Sequence, residues 1–133
     1  MTGIVVVTHG KLAQALVATA EMIMGKQEGI KTIGFEAGQD VMNLHEKINQ
    51  AVQLFAPEEE ILILVDLLGG SPYNASAMLA LKQSKIKVVT GVNLPMLLEV
   101  LPARSMDVAT LKQMAVHAGQ SGVSEFVFTK SEE

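Results

Sequence analysis

The chain has 133 residues, 49% of them hydrophobic and 18% charged, which suits one domain around a single well-filled core and excludes intrinsic disorder. A formal net charge of −4, with ten Lys and Arg that form no dense cluster, argues against nucleic acid as a partner. With no cysteine, the sequence can build neither a disulfide nor a thiolate metal site.

Eight methionines and only 4% aromatic residues predict an aliphatic, adaptable interior. No apolar stretch approaches the roughly 18 residues needed to cross a bilayer. A strand pattern begins almost at once, without a basic region and a long apolar stretch before it. No signal peptide is therefore expected, and a soluble cytoplasmic protein is the simplest reading.

Ile4-Val5-Val6-Val7 is a continuous apolar run, as in a strand covered on both faces of a parallel sheet, and Thr8-His9-Gly10 follows it. Leu12, Ala15, Leu16, Ala20 and Ile23 then recur at helical spacing, with Thr19 on the same stripe and Gly25 as the stop. Residues 31–35 read as a short second strand. Residues 38–55 carry Val41, Leu44, Ile48, Val52 and Phe55 on one helical stripe, with Pro57 beyond the end.

Residues 60–65 form the third strand, which runs into Asp66-Leu67-Leu68-Gly69-Gly70-Ser71-Pro72. Ser71 suits a helix N-cap, and Pro72 suits the first helical position, where no amide hydrogen is needed. That helix extends to about Gln83, and residues 86–89 make a fourth strand. A loop from Thr90 to Pro95 leads into a short helix through Leu101. A further helix covers roughly residues 107–120 and ends at Gly122.

Residues 125–129 alternate as a final strand at a sheet edge, and a polar tail starts at Lys130. No linker, internal repeat or low-complexity stretch interrupts the pattern, so residues 1–133 read as a single domain. Alternating strands and helices specify an α/β sheet with right-handed crossovers. Two helices separate the fourth and fifth strands, so the fifth need not continue the parallel series.

In such sheets chemistry gathers at the carboxyl ends of strands, where the strand order reverses. If the first and third strands are neighbours, His9, Asp66 and Ser71 converge in one crevice. An imidazole attacks phosphorus through an unprotonated nitrogen. A carboxylate that accepts a hydrogen bond from the other nitrogen fixes that tautomer and stabilises the cation formed. The Gly69-Gly70-Ser71 turn supplies backbone amides at a helix start, together with a hydroxyl, for the equatorial oxygens of a phosphoryl group.

Each feature has a plainer reading: a packing histidine, an aspartate that caps a turn, a good helix start. Their coincidence on one predicted rim favours phosphohistidine chemistry. His45 is expected on the solvated face of its helix, and His117 near a helix C-terminus, without a chemical role. Asp40, Glu46 and Glu58-Glu59-Glu60 read as surface or helix-start charges. Tyr73 either lines the crevice or packs in the core, and the Thr90–Asn93 loop on the same rim reads as a simple turn, with a supporting or partner-contact role as its alternative.

The stretches IVVVTHG (4–10), DLLGGSPYNA (66–75) and GVNLPML (91–97) resemble the IIA domain of the mannose-family bacterial sugar phosphotransferase system. The likeness extends over nearly the whole chain, and DLLGGSPYNA is its most specific part. It implies an open doubly wound sheet of four parallel strands plus a C-terminal antiparallel edge strand, with helices on both faces. It also implies a homodimer in which the terminal strand is exchanged.

By the same resemblance His9 accepts phosphate from HPr, through Nε2, and passes it to a IIB component for uptake of a mannose, fructose, sorbose or amino-sugar class substrate. Asp66 is then its hydrogen-bonded partner and Ser71 a phosphoryl ligand, with Gly69, Gly70 and Thr8 in support. The membrane enters only indirectly, through a IIC/IID transporter. A separate IIB protein is expected, and neither metal nor organic cofactor is indicated.

Alternatives are a regulatory phosphoacceptor, the related branch that serves dihydroxyacetone kinase, a serine hydrolase and a phosphoaspartate receiver. The hydrolase lacks a G-x-S-x-G elbow. The receiver lacks the carboxylates of a Mg²⁺ site, since its first strand would end in Thr8-His9. The sequence does not identify the sugar.

Overall fold

Branched and aliphatic residues dominate the segments that become strands, and the two central ones carry no polar residue that must reach water before the strand ends. In the computed structural model, which describes residues 1–129, β1 (Gly3–His9), β2 (Ile30–Phe35), β3 (Ile61–Val65) and β4 (Ile86–Val89) form one sheet. All pairs are parallel, in the order β2-β1-β3-β4. The strands are connected by α1 (Leu12–Met24), α2 (Val41–Gln53) and α3 (Ser71–Lys82), and α4 (Leu94–Val100) and α5 (Val108–Ser121) follow β4, with a 3-10 turn over Leu101–Ala103 after α4.

Strand alternation divides the interior into two layers. Ile4, Val6, Leu62 and Leu64 face one side, under α1, α4 and α5. Val5, Val7, Ile61, Ile63 and Val65 face the other, under α2 and α3. The chain runs outward from β1 to β2 and, in the opposite direction, from β3 to β4. The order therefore reverses between β1 and β3, and their carboxyl ends form the switch point where a ligand crevice is expected.

α2 presents the stripe its sequence foretells: Leu44, Ile48 and Val52 are buried, while Val41 and Phe55 pack at the margin. Its start is fixed by a capping box, in which the Asp40 side chain accepts from the Asn43 amide. α1 is rotated from expectation. Ala13, Val17 and Ala20 are buried, whereas Leu12 and Ile23 are exposed. The helix is apolar nearly all round, so periodicity alone leaves its facing open. A bond from the Ala13 amide to Thr8 Oγ1, 2.7 Å long, anchors its first turn to β1.

Two further expectations are corrected. Residues 125–129 form no strand among the described residues, so the antiparallel edge strand is absent from this chain taken alone. A strand exists only against an edge that satisfies its amides and carbonyls, and residues 123–129 pair with none among the described residues. The polar tail expected from Lys130 lies outside the described residues. Ser71 is not the cap of α3. Gly70 occupies that position with extended backbone, and Ser71 is already the first helical residue. No helix is long and apolar enough to cross a membrane among the described residues.

Candidate functional site

His9 is the last residue of β1, and Asp66 follows directly on β3. Because Val7 pairs with Val65, these two strand ends stand side by side. One carboxylate oxygen, Asp66 Oδ2, accepts from the His9 backbone amide and lies 3.0 Å from His9 Nδ1. Partial burial pushes the Asp66 carboxyl up. The amide bond, the imidazole bond and the charge of His9 outweigh that, and hold it below the ordinary carboxylate value. An ionised carboxylate can only accept, so Nδ1 carries the hydrogen and Nε2 of the neutral ring is the free nitrogen.

The imidazole is nearly half exposed at 46%, while Asp66 is 15% exposed. The second carboxylate oxygen, Oδ1, is buried without a partner among the described residues.

Gly70 abuts the other edge of the ring. A Cβ placed on it would stand 3.0 Å from His9 Cε1 and 3.6 Å from Nε2. The Nε2 edge therefore looks toward the start of α3, whose first-turn amides have no intrahelical acceptor. The turn that leads there is closed by Gly70 N donating to Leu67 O, and Gly69 sits at φ +83°, a conformation that favours glycine. Gly70 thus stands beside the imidazole, and Ser71 follows it as the first residue of α3.

Thr8 is fully buried and faces away from this opening. Its hydroxyl accepts from Ala13 N and donates to His9 O at 3.1 Å, which locks the loop between β1 and α1. His45 departs from its expected solvated setting: it is half-buried on α2, and its Nε2 is covered with no partner among the described residues. His117 is exposed on α5.

Sequence reasoning missed the contribution of β2. Phe35 lies opposite His9 in the parallel register, and its ring meets the imidazole edge-on, with centroids 5.9 Å apart and planes at 83°. Gly34 leaves room for the loop, since a Cβ there would lie 2.1 Å from Gly10 O. A glycine inside a strand, immediately before an aromatic residue, was the available signal, because it marks close backbone approach. Among the described residues no group of three or more His, Asp or Glu is placed to hold a metal.

A model of the EIIA-man family, described as the PTS system fructose IIA component, matches residues 3–118. The chain belongs to this family.

Relatives agree with that placement. The mannose-specific EIIAB component of the PTS from Escherichia coli K12 is 40% identical over 122 residues, which cover 90% of this chain and 38% of the relative. The chain thus spans little more than a third of that relative. The fructose-specific EIIA component of Bacillus subtilis is 38% identical, over 78% of this chain and 71% of its own. Among solved structures, the phosphotransferase system component EIIA from Streptococcus agalactiae superposes with a TM-score of 0.86 at 33% identity, covering 94% of this chain and 97% of that one. The mannose/sorbose-specific IIA subunit from Enterococcus faecalis gives 0.90 at 25%, with 97% of both chains covered. The EIIA-man fold thus holds His9 at the switch point of its sheet.

Proposed function

We propose that this chain is a single IIA domain over residues 1–133 and a cytoplasmic phosphocarrier, in which His9 Nε2 takes a phosphoryl group from phospho-HPr and yields it to a IIB component. The observation that carries the reading is the Asp66 Oδ2 to His9 Nδ1 contact of 3.0 Å, which leaves Nε2 as the nucleophile beside the start of α3. In the forward step the Nε2 lone pair attacks phosphorus. The bond from phosphorus to the donor breaks, and its electron pair returns to the donor. Nδ1 keeps its proton throughout, and Asp66 balances the cationic ring.

Amides of the first turn of α3, with the Ser71 hydroxyl, receive the phosphoryl oxygens, and Gly69 and Gly70 allow the close approach. Thr8 supports the site from behind by fixing the His9 carbonyl. Onward transfer serves uptake of a sugar of the mannose, fructose or sorbose class through a IIC/IID transporter. Membership in the EIIA-man family and the sugar-specific names of its relatives support this assignment. A homodimer is part of the same reading, favoured by the exposed apolar segment from Val123 to Phe128.

The test supplies phosphoenolpyruvate, enzyme I and HPr to the wild-type chain and to His9→Ala. One phosphate per chain, lost in acid and stable in alkali, is expected in wild type, with none in the variant. Label that persists in His9→Ala rejects the assignment.

A further inference from the structure

On the β3 side the His9 ring meets Asp66 at Nδ1 and Gly70 at the Cε1–Nε2 edge. A single hydrogen bond is one tether, and a ring that is 46% exposed can still tilt about it. On the β2 side the described aromatic contact is Phe35. That ring is itself held, since it packs against the layer beneath α2 and its carbonyl accepts from Gly10 N at 2.8 Å. The next residue back, Gly34, lets the His9–Gly10 loop descend onto β2, which brings imidazole and phenyl together.

We propose that Phe35 is a positioning residue for phosphoryl transfer, its ring edge-to-face with His9 so that Nδ1 stays on Asp66 and Nε2 stays aimed at the first turn of α3. The inference rests on His9 as the phosphoacceptor and extends that reading to a strand outside its motifs. Edge-to-face aromatic pairs have a preferred geometry because ring faces are negative and ring edges positive. An aliphatic side chain of similar bulk offers no such orientation. Correct placement of the attacking atom is worth a large factor in rate, so a ring free to swing toward β2 transfers more slowly without losing affinity for its donor.

The experiment compares wild type with Phe35→Tyr, Phe35→Leu and Phe35→Ala. Nitrogen-15 spectra of the His9 imidazole report its tautomer before any phosphate is added. Single-turnover transfer from phospho-HPr is then measured across donor concentrations. Wild type and Phe35→Tyr should have Nδ1 protonated and transfer alike. Phe35→Leu, which keeps most of the packing volume, should mix the tautomers and lower the rate at saturation about tenfold, with unchanged half-saturation. Phe35→Ala should do the same wherever circular dichroism finds it folded. A folded Phe35→Leu with wild-type nitrogen shifts and wild-type rate overturns the proposal. The spectra need no phosphate, so they test the positioning even if wild-type His9 proves not to be phosphorylated.

Discussion

At the scale of single residues, one oxygen atom organises the site. Asp66 Oδ2 takes both the amide and the ring nitrogen of His9, so it fixes the place and the tautomer of the imidazole together. In Asp66→Asn an amide oxygen can still accept, so the fold should survive, but the ring cation loses its counter-charge. Single-turnover transfer should fall about 10²-fold, as when a preorganised electrostatic partner is removed, and an unchanged rate would discard the role. The same carboxyl has a stability signature. Its native pKa lies below the unfolded value, so its contribution is complete above the unfolded pKa and disappears as pH falls through the lower native one. Below about pH 4, wild type should therefore lose stability more steeply than Asp66→Asn in acid-unfolding titrations. His9 and Asp66 were legible because each lies within two residues of the end of an apolar strand run, and strand adjacency made them meet. Ser71 was read one position off. Gly and Ser both suit the boundary, and only the extended backbone of Gly70 decides which residue caps.

At the scale of elements, Gly34, Gly69 and Gly70 act for different reasons. Gly69 needs its φ of +83° and has open space around it, whereas Gly34 and Gly70 need space against their neighbours. Gly34→Ala would drive a methyl into Gly10 O, which is backbone and cannot rotate away. It should cost about 1–3 kcal/mol in denaturant unfolding and, by lifting the His9–Gly10 loop, slow transfer as well. Gly69→Ala should cost about 1 kcal/mol from the left-handed conformation alone. A Gly34→Ala protein as stable and as active as wild type would contradict the close approach. Element type was readable along most of the chain. The facing of α1 was not, because Leu12, Leu16 and Ile23 make as good a stripe as Ala13, Val17 and Ala20. The cap on Ala13 from Thr8, and the fit of small residues against β1, choose between them. β2 escaped notice as part of the site for a related reason. A five-residue pattern announces a strand but not which neighbour it will flank.

At the scale of the whole molecule, the segment after α5 is at odds with a free-standing chain. Val123, Phe126, Val127 and Phe128 are each between 70% and 86% exposed, an apolar load that water disfavours. Alternation over residues 125–129 suggested a strand that the described residues do not form, because a strand also needs an edge, which local pattern cannot supply. β4 leaves one edge unpaired among the described residues, and a groove lined by Val88, Thr90, Val116 and Val123 runs beside it. In the proposed homodimer a second copy would offer both apolar cover and backbone partners. Sedimentation equilibrium at micromolar concentration should accordingly give twice the chain mass for wild type. The double variant Phe126→Asp, Phe128→Asp should give the single mass, because two carboxylates in a desolvated contact cost far more than the contact returns. His9, Asp66, Gly70 and Phe35 all belong to one chain, so this monomer should still take one phosphate from phospho-HPr. A wild-type protein of single mass, or a variant that keeps the double mass, would refute the dimer. A monomer that folds but no longer accepts phosphate would mean that the acceptor site is incomplete without its partner.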